Sequence, residues 1–293
     1  MIQNKIDKHI KTIFMAPIML FIVLMVVFPL CYTVYLSFTE WSMGVTAPEF
    51  IGLKNYIELL NDERFLNSIW RTLYIAFGSV IIEVILGTAI ALFLNREYRG
   101  KDLSKTLFLL PMVATPVAVG MVWLLIYEPT IGVANFLLTK IGLDPVMWLI
   151  KPTTVLNSLI IIEVWEWTPM IMLIVLAGLA GLPSDPYEAA VVDGANKLQI
   201  FTKVTLPLLT NTIIIAALLR LIDALKTFDI IYATTQGGPA NASETLNIMA
   251  YTTSFSYFKM GKGSALIILF LGIIGICSGF MIWIRKKAGA VNE

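Results

Sequence analysis

Glu163, Trp165, Glu166 and Trp167, followed by Pro169, sit in a run of apolar residues. Two other such runs carry Glu83, and Arg220, Asp223 and Lys226. Ionisable groups are costly at such positions and usually face a cavity or a partner. Glu163 and Glu166 stand three apart and share a helical face. Arg220, Asp223 and Lys226 recur every three residues and lead to Thr227. Two chemistries suit these groups. Carboxylates on several helices could relay protons. Alternatively, indole, carboxylate and guanidinium groups along a path could hold a polyhydroxylated solute, whose CH faces stack on Trp while its hydroxyls take paired donors and acceptors. Pro169 frees a carbonyl one turn back, where a polar ligand or water can bond. A third arrangement needs no ligand: Arg220 and Asp223 neutralise each other, and the glutamates bond to neighbouring helices.

Enzymatic chemistry finds no matching constellation. The single histidine, His9, leaves no metal cluster, and no G-x-S-x-G occurs. A nucleotide-hydrolysing chain needs G-x-x-x-x-G-K-[ST] to cradle phosphates. The nearest stretch, Gly261-Lys262-Gly263-Ser264, has glycine after the lysine and no glycine five before Gly261. No catalytic residue, metal ligand or bound cofactor is therefore expected, and the chain is not expected to be an enzyme.

The elements that must position these groups follow from composition. Of 293 residues, 58% are hydrophobic and 14% charged. Soluble domains are about one quarter charged, so the expected fold class is all-α integral membrane. About 20 apolar residues cross the hydrocarbon layer, which gives six spans at roughly 13–38, 69–94, 108–127, 155–179, 204–228 and 264–284. Residues 1–12 form a short N-terminal segment and 13–293 a single transmembrane domain. Of the 21 Lys and Arg, twelve fall in segments assigned to the cytoplasm, six in the opposite loops and three in or beside spans. The positive-inside rule then puts both termini inside. A net charge of +1 offers no surface for nucleic acid. Cys31 and Cys277 lie in apolar runs and read as buried thiols. Pro111 and Pro116 mark a kink in the third span.

The stretch PYEAAVVDGANKLQIFTKVTLPLL, residues 186–209, begins in the cytoplasmic loop 180–203 and is polar by the standard of this chain. Asp185 can cap a helix, Pro186 suits its first position and Glu188 stands three after the cap. Gly194 is a natural stop, and Asn196 can cap a second short helix. Tyr187, Ala190, Val191 and Gly194 share one apolar face. Such a helix could lie on lipid headgroups or fit a protein partner.

E-A-A, three residues, G, nine residues, then V-x-L-P resembles the cytoplasmic signature of the membrane subunits of ATP-binding-cassette importers. Glu188, Ala189, Ala190, Gly194, Val204, Leu206 and Pro207 stand at the matching positions, with Val204 in place of the commoner isoleucine. EVWEWTPMIMLIVLAGLAGLP, TFDIIYATTQGGPANASETL and YTTSFSYFKMGKGSALIILFL are similar to stretches of the carbohydrate importers of maltose and glycerol-phosphate type. The resemblance covers about half the chain.

It implies a six-helix type I ABC importer permease fold in a bacterial or archaeal plasma membrane. The E-A-A loop would be a coupling helix seated in a cleft on a cytoplasmic ATPase. Glu188, Ala189, Ala190, Asp193, Gly194, Leu206 and Pro207 would serve that contact. The path residues it implies are Trp165, Glu166, Trp167, Met170, Arg220, Ala224 and Thr227, and Asp223 is placed with them. Charge at Glu166 and Arg220 departs from the maltose pattern. Implied partners are a second, different permease subunit, two ATPase subunits that use ATP and Mg, an extracytoplasmic solute-binding protein and membrane lipid. The function expected is import of an oligosaccharide, sugar, polyol or sugar phosphate by alternating access. A proton-coupled secondary transporter using Glu83, Glu163, Glu166 or Asp223 is the alternative, opposed by six spans without paired repeats.

Overall fold

The computed structural model describes residues 14–45 and 47–289. Residues 1–13, and with them the N-terminal lysines used to orient the chain, lie outside the described residues. The chain divides into two compact units. One holds the described residues up to Phe65 together with Ala250–Leu271; the other holds Leu66–Met249 and the described residues from Gly272 on.

In the first unit, helix α1 (Phe14–Ser37) is long and apolar enough to cross a membrane, and none of its most apolar window is buried. A two-stranded antiparallel ribbon follows, β1 (Thr39–Glu40) against β2 (Glu49–Phe50). Helix α2 (Lys54–Leu60) closes it: Asn55 Nδ2 donates to the carbonyls of Ser37 and Thr39, at 3.1 and 2.9 Å. Gly261 packs directly on this ribbon, where a Cβ would come within 2.0 Å of the Thr39 carbonyl oxygen.

Helix α3 (Glu63–Leu94) leads into the second unit. The expected third span is two helices, α4 (Lys101–Val113) and α5 (Pro116–Ile126), bent by 96°. The cause is local. Proline disfavours helix at the residue before it, and Thr115 and Ala114 are extended, with ψ of 139° and 150°. Pro111 is tolerated inside α4, so the break belongs to Pro116 and exceeds a kink. After α5, Glu128 Oε2 accepts from the backbone N–H of Ile131 and of Thr130, at 2.6 and 2.7 Å, which holds its carboxyl below the usual range. Helix α6 (Val133–Lys140) precedes α7 (Val155–Ala180).

Helix α8 (Asp185–Val192) is the short helix expected in the loop 180–203. Helix α9 (Lys197–Leu225) starts seven residues before the expected fifth span and ends three before its expected limit. It is continuous because a π turn over Phe201–Thr205 precedes Pro207. Proline lacks an N–H and clashes with the preceding turn, and one extra residue per turn absorbs the defect. Short helices α10 (Asp229–Thr234) and α11 (Leu246–Tyr251) lead to α12 (Met260–Gly289), the last span. Cys277 is half-buried against Ala76, Val80 and Leu221, while Cys31 is exposed, contrary to the expectation of two buried thiols.

Candidate functional site

Three helices meet around a cluster of charge. Arg220 of α9 is 1% exposed and lies between Glu83 of α3 and Glu163 of α7, both equally buried. Its Nη2 donates to Glu83 Oε1 at 3.1 Å, and its Nε lies 2.7 Å from Glu83 Oε2 without the alignment of a hydrogen bond. Nη2 also donates to Glu163 Oε2. The guanidinium carbon lies 5.2 Å from the centroid of the Trp167 ring. Gly87 permits this meeting. It is one turn from Glu83, and a Cβ there would fall 2.8 Å from Ile171 of α7. Gly178 does the same between α7 and α9, against Thr212. Small residues let helix backbones approach in lipid. The expected neutralisation of Arg220 by Asp223 does not occur. Asp223 is exposed and pairs with Lys226, one turn on, at 3.1 Å.

A cleft of about 410 Å³ opens beside the cluster, lined by residues that include Glu163, Trp167, Arg220, Asp223, Lys226 and Asp229. This is within the usual range for ligand sites. Of the expected path residues, Trp167, Arg220, Asp223 and Thr227 line it. Trp165 points elsewhere, into an apolar groove with Trp123, Phe108 and Pro111. Ala224 is buried in the packing of α9 against α3. Met170 is half-buried and lies outside the cleft lining. Glu166 is 1% exposed, and neither of its oxygens has a hydrogen-bond partner. The expected path list left out Glu163, Lys226 and Asp229, whereas the expected bonding of glutamates to a neighbouring helix occurs for Glu83 and Glu163, with Arg220 as a partner the sequence did not name. The available signal was sign: an arginine within a span needs a countercharge, and Glu83 and Glu163 were candidates on other spans.

The second candidate surface is α8. Its backbone is closed at the C-terminal end: the Ala195 N–H donates to the Ala190 carbonyl at 2.9 Å and the Gly194 N–H to Val191 at 3.0 Å. This double bond requires a left-handed residue, and Gly194 supplies it at φ +73°. At the other end Ser184, not Asp185, is the cap, and it makes no side-chain cap bond. The capping box lies instead on α9, where Asn196 Oδ1 accepts from Gln199 N at 2.9 Å and Gln199 Oε1 accepts from Asn196 N at 2.7 Å. The Tyr187 hydroxyl bonds Thr205 Oγ1 at 3.1 Å, which mounts α8 on the π turn of α9.

The expected apolar face is divided. Tyr187 and Ala190 are half-buried, whereas Val191 and Val192 are 65 and 87% exposed. Glu188, Ala189, Asp193 and Gly194 are also exposed. Glu188 has no side-chain partner among the described residues. Leu206 and Pro207 stand on α9 beyond the π turn and are exposed.

Residues 4–288 match the family model described as binding-protein-dependent transport system inner membrane component. The chain belongs to that family. The permease is 42% identical over 267 residues to a probable ABC transporter permease protein y4oQ of Sinorhizobium fredii, covering 90% of this chain and 86% of the relative. It is 36% identical to the trehalose/maltose transport system permease protein MalF of Thermococcus litoralis, covering 86 and 85%. Its fold matches a chain of a bacterial alginate ABC transporter, crystallised with a pentasaccharide-bound periplasmic protein, at TM-score 0.84 and 21% identity over 97 and 96% of the two chains. The permease therefore has the type I fold expected of it and is a multi-pass inner-membrane component.

Proposed function

We propose that this permease lines the path of a carbohydrate importer driven by ATP hydrolysis in separate subunits. The observation that carries the reading is the cleft beside Trp167. An aromatic face held by a buried guanidinium stands among carboxylate, ammonium and hydroxyl groups. Sugars need that combination of stacking surface and hydrogen-bond partners. The names of relatives such as the trehalose/maltose permease support the same class.

The drive would enter through α8. Its exposed Val191 and Val192, with the unpartnered Glu188, suit a protein socket that supplies an apolar floor and a cation. Helix α9 is continuous for 29 residues. At 1.5 Å per residue, the stretch from Lys197 to Arg220 reaches about 35 Å, so a push at the loop could reach the cleft as rigid-body motion. The assembly would comprise this chain, a second and different permease, two ATPase subunits using ATP and Mg, and a solute-binding protein. This chain itself would bind no cofactor and catalyse no reaction.

The test is ATP hydrolysis by the purified complex, stimulated by the loaded binding protein across a panel of sugars. Stimulation by at least one sugar is expected, with Glu188→Lys abolishing it while the chain stays in the membrane. Undiminished stimulation in that variant would remove the coupling role.

A further inference from the structure

We infer that the cleft admits neutral or positively charged carbohydrates and rejects those bearing carboxylate or phosphate, an inference that rests on the carbohydrate reading above. A site for an anionic sugar needs a cation with charge to spare, as in the bidentate grip of arginine on carboxylate or phosphate. This cleft has two cations, and each already faces a carboxylate of the chain. Arg220 is held by Glu83 and Glu163 at once. Lys226 is held by Asp223 at 3.1 Å. Asp229, on the first turn of α10, lines the same cleft, and no cation among the described residues pairs with it.

The lining thus carries three carboxylates, Glu163, Asp223 and Asp229, against two cations. Glu83 lies behind Arg220, and no hydrogen-bond partner reaches the oxygens of buried Glu166. A cleft with an excess of one sign focuses its field on whatever enters. Here the field repels a uronate or sugar phosphate and draws in an amino sugar. A neutral sugar is indifferent to it and gains from Trp167. Of the carbohydrate classes expected from sequence, sugar phosphate is the one this cleft disfavours.

The experiment uses the assembled transporter in lipid nanodiscs, without its binding protein, so that only the membrane path selects. Binding of trehalose, a galacturonate dimer and a glucosamine dimer is followed by tryptophan fluorescence at millimolar ligand. The uronate dimer is expected to bind roughly tenfold more weakly than trehalose, a gap that narrows as salt rises. Asp229→Lys is expected to close most of that gap, and Asp229→Asn part of it. Uronate binding equal to or tighter than that of trehalose would overturn the inference and leave the carbohydrate reading standing. Binding of none of the three would overturn the carbohydrate reading, and the inference would fall with it.

Discussion

The charges at the heart of α3, α7 and α9 and those on α8 obey opposite rules. In the buried cluster the arginine is matched within the chain: Arg220 has two carboxylates and an indole around it, and Glu166 of α7 is the exception, buried with neither oxygen bonded. On α8 the backbone is complete, with its C-terminal carbonyls bonded through Gly194, while the side chains are open. The difference follows from the surroundings. In hydrocarbon an unpaired charge has no water to fall back on, so the chain must complete itself. In water an open charge costs little and is available to another molecule. Completeness marks the part that holds the helices together, and openness leaves α8 free to take the partner proposed for it.

The sharpest break of this comparison is Arg220→Met. It strands Glu83 and Glu163 without their cation, and removing one partner of a buried pair costs about 3–5 kcal/mol. Thermal unfolding in detergent should show a large fall in midpoint. The triple variant Arg220→Met, Glu83→Gln, Glu163→Gln should recover most of that loss, because the penalty lies in the uncompensated charge. No recovery would mean that the cluster holds the helices through geometry specific to the ions.

Next in size is Gly194→Val. No atom lies within 4 Å of where its Cβ would sit, so the cost is conformational only. A left-handed β-branched residue costs roughly 1–2 kcal/mol, confined to the loop. The expected result is an unchanged global unfolding midpoint together with loss of ATP-driven uptake. A matched fall in both would place α8 among the parts that hold the fold.

These two regions were not equally legible in the sequence. The stop at Gly194 and the cap at Asn196 were readable because both are local rules of a few residues. The limits of the long apolar helices were readable to within a few residues at most ends, because hydropathy is averaged over a whole helix. The 96° break at Pro116 exceeded the expected kink, since proline shows where a helix yields and not how far. The partners of Arg220 were hidden. Glu83 is 137 residues away, and only the close packing allowed by Gly87 and Gly178 brings the helices together. Asp223 was the nearer choice by spacing, yet it sits on the same helix and turns to Lys226.

Asn196→Ala tests the closed backbone at its other end. Loss of an N-cap costs typically about 1 kcal/mol. Here it also removes one half of a reciprocal pair with Gln199. Amide hydrogen exchange should quicken at Gln199 while the middle of α9 stays protected. Exchange that quickens along the whole of α9 would mean that the π turn transmits fraying into the span.

The smallest effect, and the one that separates stability from selection, is expected for Lys226→Ala. Lys226 and Asp223 are each about half exposed and stand one turn apart. An exposed pair of that kind contributes about 0.3–0.5 kcal/mol, so the unfolding midpoint should barely move. The charge balance of the cleft moves more, because Asp223 loses its cation and joins Asp229 as an open carboxylate. Binding of an amino sugar should strengthen, binding of a neutral one should hold, and both changes should fade at high salt. If the variant instead unfolds early and binds all sugars poorly, Lys226 belongs to the self-completing part of the molecule. The Lys226 carbonyl accepts from Asn247 Nδ2 at 2.7 Å and ties the end of α9 to α11, but it is a backbone group that the substitution keeps, so early unfolding would have to come from the lost ammonium and its stem.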